Sequence, residues 1–418
     1  MSIIKKVLVI VESIDVNATS GAKVNMALIN ALLLCKYEVT VLHYTREIIN
    51  IPLANCIAIK ENKTSLKYFL SRAQRVFQRI TKINISKNLE NIFGHSFTFF
   101  NDSKSIAYAT IKYYNNHDLI ITLSQGASFR PHHAMLKHSQ LHSKWVAYVH
   151  DPYPFHLYPE PYDWIEAGYK QKEDFFRKVS EHAKYSAFPS QLLKEWVGQF
   201  FPKFLETGFV IPHQHLISPQ QIKLENLPYF NSDNFTLLHA GNLMKQRSPE
   251  GLIKGFKLFL KTNPKAKKNS MLMLIGPSSY YESFLETTKN KVPQLYINNK
   301  RVAYNEIQFL QERVDVNIIL EAKTDISPFL PGKFPHCVFA NKPILVLGPN
   351  KSETKRLLGQ DYLFQAEANE FNKISKLIEK LYFNWLNKKE IELNRPDLEK
   401  YLNPSRVGVI LEKYINKV

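Results

Sequence analysis

Short runs dominated by apolar residues, many of them β-branched, recur along the chain and alternate with longer stretches of helical periodicity. In the first half the runs are 7–11, 39–43, 119–123, 145–149, 186–189 and 209–211; in the second they are 235–240, 271–275, 316–320 and 344–347. Half are apolar throughout and the others carry one or two polar residues, as suits strands buried on both faces. Strands of this kind in alternation with helices predict parallel sheets covered by helices, an α/β fold. A chain of 418 residues exceeds one ordinary core, which predicts two α/β domains of about 200 residues each. The runs restart after a stretch rich in His, Gln, Asn and Pro with little periodicity, which reads as an interdomain linker. The expected organisation is therefore a domain over 1–212, a linker over 213–234, a second domain over 235–400, and a C-terminal segment over 401–418. In that last segment Val407, Ile410, Leu411 and Ile415 share one helical face, which must dock on another surface, the N-terminal domain being the candidate.

The longest early apolar run, 27–35, is broken by Asn30 and falls short of the roughly 20 residues that span a bilayer. Lys5 and Lys6 precede an apolar stretch as in a signal peptide, but that stretch stops at Glu12 without a small-residue cleavage pattern, so it is expected to be the first buried strand. Cys35, Cys56 and Cys337 are scattered, odd in number and without metal-ligand spacing, which fits a reducing cytoplasm. The formal charge of +18 calls for an acidic partner. Much of it gathers in a basic insertion at about 60–100, where Lys60, Lys63, Lys67, Arg72, Arg75, Arg79, Lys82 and Lys87 interleave with Leu66, Phe69, Leu70, Val76, Phe77 and Ile80. On a helix the apolar set forms one stripe flanked by cations. That is the pattern of a helix lying on an anionic membrane, and equally of a solvated helix packing its stripe on the domain. A nucleic-acid-binding protein is disfavoured, because the cations fill one insertion and no recognition motif is present.

Four places carry chemistry. After the first strand, Ser20-Gly21 opens a helical run and exposes free backbone amides, suited to an anion or sugar oxygen or simply to a tight turn. In the second half, the strand 235–240 turns at Gly241 and enters a helix at Ser248-Pro249-Glu250, a cap followed by first-turn residues. Lys245 and Arg247 then stand beyond the carboxyl end of the strand, where open α/β sheets bind ligands, or are plain surface cations. Further on, the Pro331-Gly332 turn leads into a short helix over about 333–340, placing Lys333 near its N-terminus. In the first half, the strand 145–149 runs into His150-Asp151 and a Tyr- and Pro-rich loop; the imidazole can accept a hydroxyl proton, orient a ligand, or hydrogen-bond the loop.

Ser20-Gly21, His239-Ala-Gly-Asn-Leu with Arg247, Leu274-Ile-Gly-Pro, and Pro331-Gly-Lys-Phe-Pro-His through Lys342-Pro-Ile-Leu resemble, in order and over most of the chain, successive motifs of glycosyltransferase family 4. The resemblance implies a GT-B fold, two Rossmann-like domains facing a central cleft. It implies a donor site built from Ser20, Gly21, Gly241, Asn242, Lys245, Arg247, Gly276, Gly332, Lys333, Phe334 and His336, with Arg247 and Lys333 on the diphosphate. His150 and Asp151 become the catalytic candidates. Two departures stand out. The family's Gly-Arg-Leu reads Gly241-Asn242-Leu243, and its Glu-x7-Glu pair is replaced by Pro328 and His336, the latter still able to hydrogen-bond a ribose hydroxyl.

The expected activity is transfer of a sugar from a nucleotide diphosphate sugar to an acceptor hydroxyl on a saccharide or lipid-linked saccharide, in cell-surface polysaccharide or glycolipid assembly. It is expected to need no metal or other cofactor, the nucleotide sugar being a co-substrate, and to proceed in the cytoplasm at the inner membrane face. The alternatives are a nucleotide-sugar epimerase or hydrolase and an inactive sugar-nucleotide binder.

Overall fold

The computed structural model describes residues 5–162, 164–216, 227–388 and 391–415. The chain divides into two compact units, the first comprising Met1–Tyr158, Tyr162–Gln214 and Asn403–Val418, the second Pro159–Pro161 and His215–Leu402.

Unit 1 is built on seven parallel strands, β1 (Lys6–Val11), β2 (Glu38–His43), β3 (Asn55–Ala58), β4 (Leu119–Leu123), β5 (Trp145–Tyr148), β6 (Tyr185–Phe188) and β7 (Gly208–Val210), in the order β3-β2-β1-β4-β5-β6-β7. Its helices are α1 (Ser20–Leu34), α2 (Leu66–Thr81), α3 (Ser86–Phe93), α4 (Phe97–Tyr113), α5 (Arg130–Met135), α6 (Tyr169–His182), α7 (Gln191–Gly198) and α8 (Lys203–Thr207). On one face Val7, Val9 and Val11 pack with Leu28 and Leu32 of α1. β3 is the strand without an apolar run: it lies at the sheet edge and is only half-buried, so its sequence carries no two-sided core signal.

The helix at 66–81 differs in orientation from one that packs its apolar stripe on the domain. α2 meets α4 through its polar side: Ser65 caps it and bonds Asn101, Arg75 donates to Thr98 at 3.1 Å, and Ser71 is its one buried residue. Leu66, Phe69, Val76, Phe77 and Ile80 face outward.

Unit 2 repeats the plan with β8 (Phe235–Ala240), β9 (Ser270–Ile275), β10 (Leu295–Asn298), β11 (Val316–Leu320), β13 (Ile344–Leu347) and β15 (Gln365–Ala366), all parallel, in the order β10-β9-β8-β11-β13-β15. A separate pair, β12 (Ile326–Ser327) with β14 (Lys351–Ser352), lies outside this sheet. One face carries α9 (Glu250–Thr262), α10 (Glu282–Lys289) and α14 (Phe371–Leu386), whose Leu252, Phe256, Leu285, Ile374 and Ile378 close over Leu237, Leu272 and Ile318. Opposite are α11 (Tyr304–Arg313), α12 (Phe334–Phe339), α13 (Glu353–Leu358) and α15 (Pro396–Leu402). Of the linker segment, 217–226 lie outside the described residues; Leu227 and Phe230 are buried in the unit 2 core.

The last helix, α16 (Arg406–Ile415), belongs to unit 1, where Val407, Ile410 and Leu411 join the core cluster over α1. Gly408 permits the approach: its amide donates to Cys35 Sγ at 3.3 Å, and a Cβ there would stand 3.1 Å from the sulfur.

Candidate functional site

Both sheets reverse direction of winding next to their first strand, between β1 and β4 in unit 1 and between β8 and β11 in unit 2. At such a switch point the flanking connections leave to opposite faces and a crevice opens beyond the carboxyl ends of the strands. The functional candidates collect there in each unit.

In unit 2, β8 ends at Ala240 and turns at Gly241. A Cβ on Gly241 would stand 3.5 Å from His239 Nε2 and 3.8 Å from Lys333 Nζ, so the missing side chain leaves space bordered by both nitrogens. Gly276, at the end of β9, lets the neighbouring loop lie against this turn, since a Cβ there would stand 2.5 Å from the Gly241 carbonyl oxygen. Lys333 is half-buried as a residue, but its ammonium turns inward, donating to Ile318 O at 2.9 Å and to His239 Nδ1 at 3.1 Å. The Lys333 contact is the shorter of two at Nδ1, the other being Ile318 O at 3.4 Å; with the ammonium charged, Nδ1 accepts and the ring proton resides on Nε2, which is buried without a hydrogen-bond partner. Burial, followed by the charges of Lys333 and Arg247, holds the His239 imidazole well below its usual range. Burial also pulls the Lys333 ammonium down to about 7, with Arg247 adding to the fall.

Arg247 and Glu321 complete the group. Glu321 directly follows β11 and is buried; Oε1 accepts from Thr354 at 2.7 Å, and Oε2 has no hydrogen-bond partner. Burial raises its carboxyl, an effect that Thr354, Ser352 and Arg247 oppose. A Cβ on Gly348 would collide with Oε2, so the β13 loop passes close only because residue 348 is glycine. Arg247 Nε likewise lacks a partner. A buried cluster with an unfilled donor on His239, another on Arg247, and an inward-turned lysine ammonium is chemically suited to a multivalent anion.

The other expected donor residues are placed unequally. Asn242 and Lys245 are exposed, and the Lys245 carbonyl accepts from Tyr281 at 2.8 Å. Gly332 lies in the turn before α12. The Phe334 ring is fully buried with Ile319, Leu330 and Leu358, so it supports the site from the core. His336 Nε2 lies 2.9 Å from Tyr304 Oη, whose own proton goes to Leu216 O at 2.6 Å, and its ring meets that of His215. The helix expected to open on a Ser248 cap starts at Glu250; the Ser248 hydroxyl accepts from the Glu250 amide at 3.3 Å.

In unit 1 the cap of α1 is Thr19, which accepts from the Ala22 amide at 3.1 Å; Ser20 and Gly21 form the first turn, Gly21 lying against Gln125 and Gly126. The buried Asn25 amide donates to Ser13 O at 3.1 Å and Ser124 O at 3.0 Å, tying together the two sides of the switch point. Both its hydrogens are thereby used, so its Oδ1 accepts from His150 Nε2 at 3.0 Å and the His150 lone pair resides on Nδ1. Burial, then His213 and His132, pushes His150 well below its usual range. Asp151 is hydrogen-bonded by Tyr158, and burial raises its carboxyl to about 6.

Beside them lies an ionic network that the sequence reading did not single out. Glu12, immediately after β1, pairs with Arg130 at 2.5 Å and accepts from Ser128; Arg130 also lies 3.1 Å from Asp102, which accepts from Tyr44 at 2.8 Å. Glu12 and Glu321 share a legible signal, a carboxylate placed directly after the apolar end of a buried strand. Asn25 had none, being one polar residue within a helix.

The described units define the GT-B fold. Solved structures of similar architecture include HepE of Anabaena in complex with UDP and glucose, at 10% identity and a TM-score of 0.65, covering 99% of this chain and 100% of that one. A UDP-forming α,α-trehalose-phosphate synthase from Burkholderia xenovorans matches at 9% identity and 0.66, over 99% of each chain. WaaG, a glycosyltransferase involved in lipopolysaccharide biosynthesis, matches at 9% and 0.59, over 97% of this chain and 99% of its own. Identity this low establishes the shared fold and no more. No family model matches the chain, and no curated protein matches it in sequence. Among the described residues no helix is long and apolar enough to cross a membrane.

Proposed function

We propose that the protein is a glycosyltransferase that takes a sugar from a nucleotide diphosphate donor held by unit 2 and delivers it to an acceptor hydroxyl held by unit 1. The observation that carries this reading is the group of Lys333, Arg247 and His239 around the space at Gly241. A diphosphate oxygen there would accept from His239 Nε2 and Arg247 and restore a counter-charge to Lys333. As the sugar departs, negative charge grows on the diphosphate, and these donors stabilise it without reorganising. The UDP bound to HepE and the UDP-forming synthase among the fold relatives support a nucleotide sugar as co-substrate. The charge to be neutralised matches Arg247 and Lys333, so the reading requires no metal.

In unit 1 the reading divides the roles of His150 and Asp151. An imidazole held so far below its usual range is a poor proton acceptor near neutrality, so His150 orients a hydroxyl through Nδ1. Asp151, poised at about 6, is the better general base. The acceptor is a saccharide or lipid-linked saccharide of cell-surface polysaccharide or glycolipid assembly, met in the cytoplasm at the membrane; the cationic insertion and the role of WaaG in lipopolysaccharide biosynthesis support this.

A thermal-shift screen against nucleoside diphosphates and nucleotide sugars tests the reading, because a ligand at a hundredfold excess over its Kd stabilises by about 2.7 kcal/mol. If none moves the transition, the donor site is refuted. Product analysis with and without acceptor then separates transfer from hydrolysis or epimerisation.

A further inference from the structure

Amphipathic helices in a folded domain bury their apolar face, because that burial stabilises them. α2 does the reverse. Its polar side packs on α4 and its apolar stripe is exposed over much of each side chain, with Leu66 at 72%, Phe69 at 58% and Ile80 at 76%. Ile83, Ile92 and Phe93 extend the exposed apolar surface onto the turn and α3. Within it lies a groove of about 510 Å³ whose lining is nearly all hydrocarbon, from Leu70, Ala73 and Phe77 of α2, Leu89 and Phe93 of α3, and Phe97 of α4. Lys67 stands at its rim, its ammonium 5.0 Å from the Phe97 ring centre and 5.4 Å from that of Phe93.

The charge around the groove identifies the occupant. Residues 60–93 hold eight Lys and Arg against Glu61 and Glu90, a net +6 of the chain's formal +18. Glu61 is paired with Arg72 and Glu90 with Lys172, so neither offsets the outer cations. A second copy of this surface would bring the same +6 and be repelled. A surface with hydrocarbon on its face and cations at its margins complements an anionic lipid leaflet, in which such a helix lies about 5–10 Å deep.

We propose that the groove between α2, α3 and α4 seats a hydrocarbon chain of an anionic membrane lipid, with Lys67 and its neighbouring cations on the headgroup phosphate. Small-molecule sites run from about 300 to 1,000 Å³, and the groove lies within that range. The lipid seat stands independently of the proposed transferase.

The test uses the full chain with vesicles of phosphatidylcholine alone or with an equal share of phosphatidylglycerol, the latter also doped with a lipid carrying a diazirine at mid-chain. Flotation should recover the protein with the anionic vesicles at least about tenfold better than with the neutral ones. Photo-crosslinks should map to Leu70, Phe77, Leu89 or Phe93. Ala73 is exposed, so Ala73→Trp fills the groove without disturbing the core; it should abolish those crosslinks while flotation persists. Val76→Asp with Ile80→Asp, also exposed, should abolish flotation, with an unchanged melting temperature confirming the fold. Absence of flotation, crosslinks confined to other helices, or undiminished groove crosslinks in Ala73→Trp would each overturn the proposal. Capture of a protein partner's helix in place of lipid would appear as the first of these. The nucleotide-sugar thermal shift, read on the same samples, reports the transferase separately.

Discussion

If a diphosphate meets Lys333, its affinity must depend on pH with a calculable slope. In the free protein burial sets the Lys333 ammonium at about 7, whereas in the unfolded chain a lysine titrates near 10.4. A diphosphate within hydrogen-bonding reach favours the charged form and raises that value again. Between the free and bound values, binding takes up a proton, so affinity falls as pH rises, approaching tenfold per unit. From half charged at pH 7 to about one part in a hundred charged at pH 9, the loss is about fiftyfold, or ~2.3 kcal/mol. The stability of the free protein has the opposite slope. Its folded state binds fewer protons than its unfolded state between about pH 7 and 10.4, so this group's contribution rises with pH across that window. Isothermal titration with a nucleotide sugar, whose diphosphate does not titrate there, in two buffers of different ionisation enthalpy, should show uptake approaching one proton per site above pH 8. Lys333→Met should bind weakly at every pH and lose the slope. A Kd constant within twofold from pH 7 to 9, or no proton uptake, would refute the assignment of Lys333 to the anion.

Three further outcomes follow from the packing. Gly348→Ala drives a methyl group into the Glu321 carboxylate and should destabilise unit 2 by about 1–3 kcal/mol, seen as a lowered thermal midpoint. Leu411→Ala empties a fully buried position where α16 lies on α1; a cost of about 2–5 kcal/mol is expected, with hydrogen exchange rising in β1 and α1 and unchanged in β8 and β9. Asn25→Asp turns a carboxylate oxygen toward the Ser13 and Ser124 carbonyls, costing about 1–3 kcal/mol, and by placing a negative charge beside His150 should raise the pH at which its ring protonates in NMR titration.

The architecture was legible because its inner strands are buried on both faces and therefore written as runs dominated by apolar residues. β1, β4, β8 and β11 all carry that mark, with Lys6, Thr122, Thr236, His239 and Asn317 as their polar exceptions, and they are the strands that create the switch points. β3 and β10 lie at sheet edges, and β12, β14 and β15 are two residues each, too short for any periodicity to register. Lys333 and Arg247 could be named because each follows a turn signal. Their partners could not. Asn25 holds both sides of the unit 1 switch point through a geometry that only the packed helix supplies. Phe334 enters the expected donor site through the motif resemblance, while helical periodicity turns its ring to the core. α2 was legible as an amphipathic helix, but which face it hides depends on α4, where Arg75 meets Thr98 across 23 residues of sequence.

The two switch points also differ in charge, and the difference argues for how the substrates divide. At the unit 1 edge, Glu12 and Asp102 outnumber Arg130, and all three are engaged with one another or with Tyr44 and Ser128. An anion entering there would meet an excess of carboxylate, with the Arg130 guanidinium already ion-paired to Glu12 and Asp102. At the unit 2 edge, Arg247 and Lys333 outnumber Glu321, whose carboxyl burial already pushes toward neutrality, and His239 Nε2 and Arg247 Nε have donors to give. A diphosphate therefore gains there and loses in unit 1, while a neutral polyol can exchange hydroxyl hydrogen bonds with Glu12, Ser128 and His150 without displacing an ion pair. Removing the unit 1 excess tests this directly. Glu12→Gln should leave nucleotide-sugar affinity within about twofold while altering acceptor KM, because the removed charge lies in the unit assigned to the acceptor. A large gain in donor affinity from that substitution would place the diphosphate at the wrong switch point and refute the division.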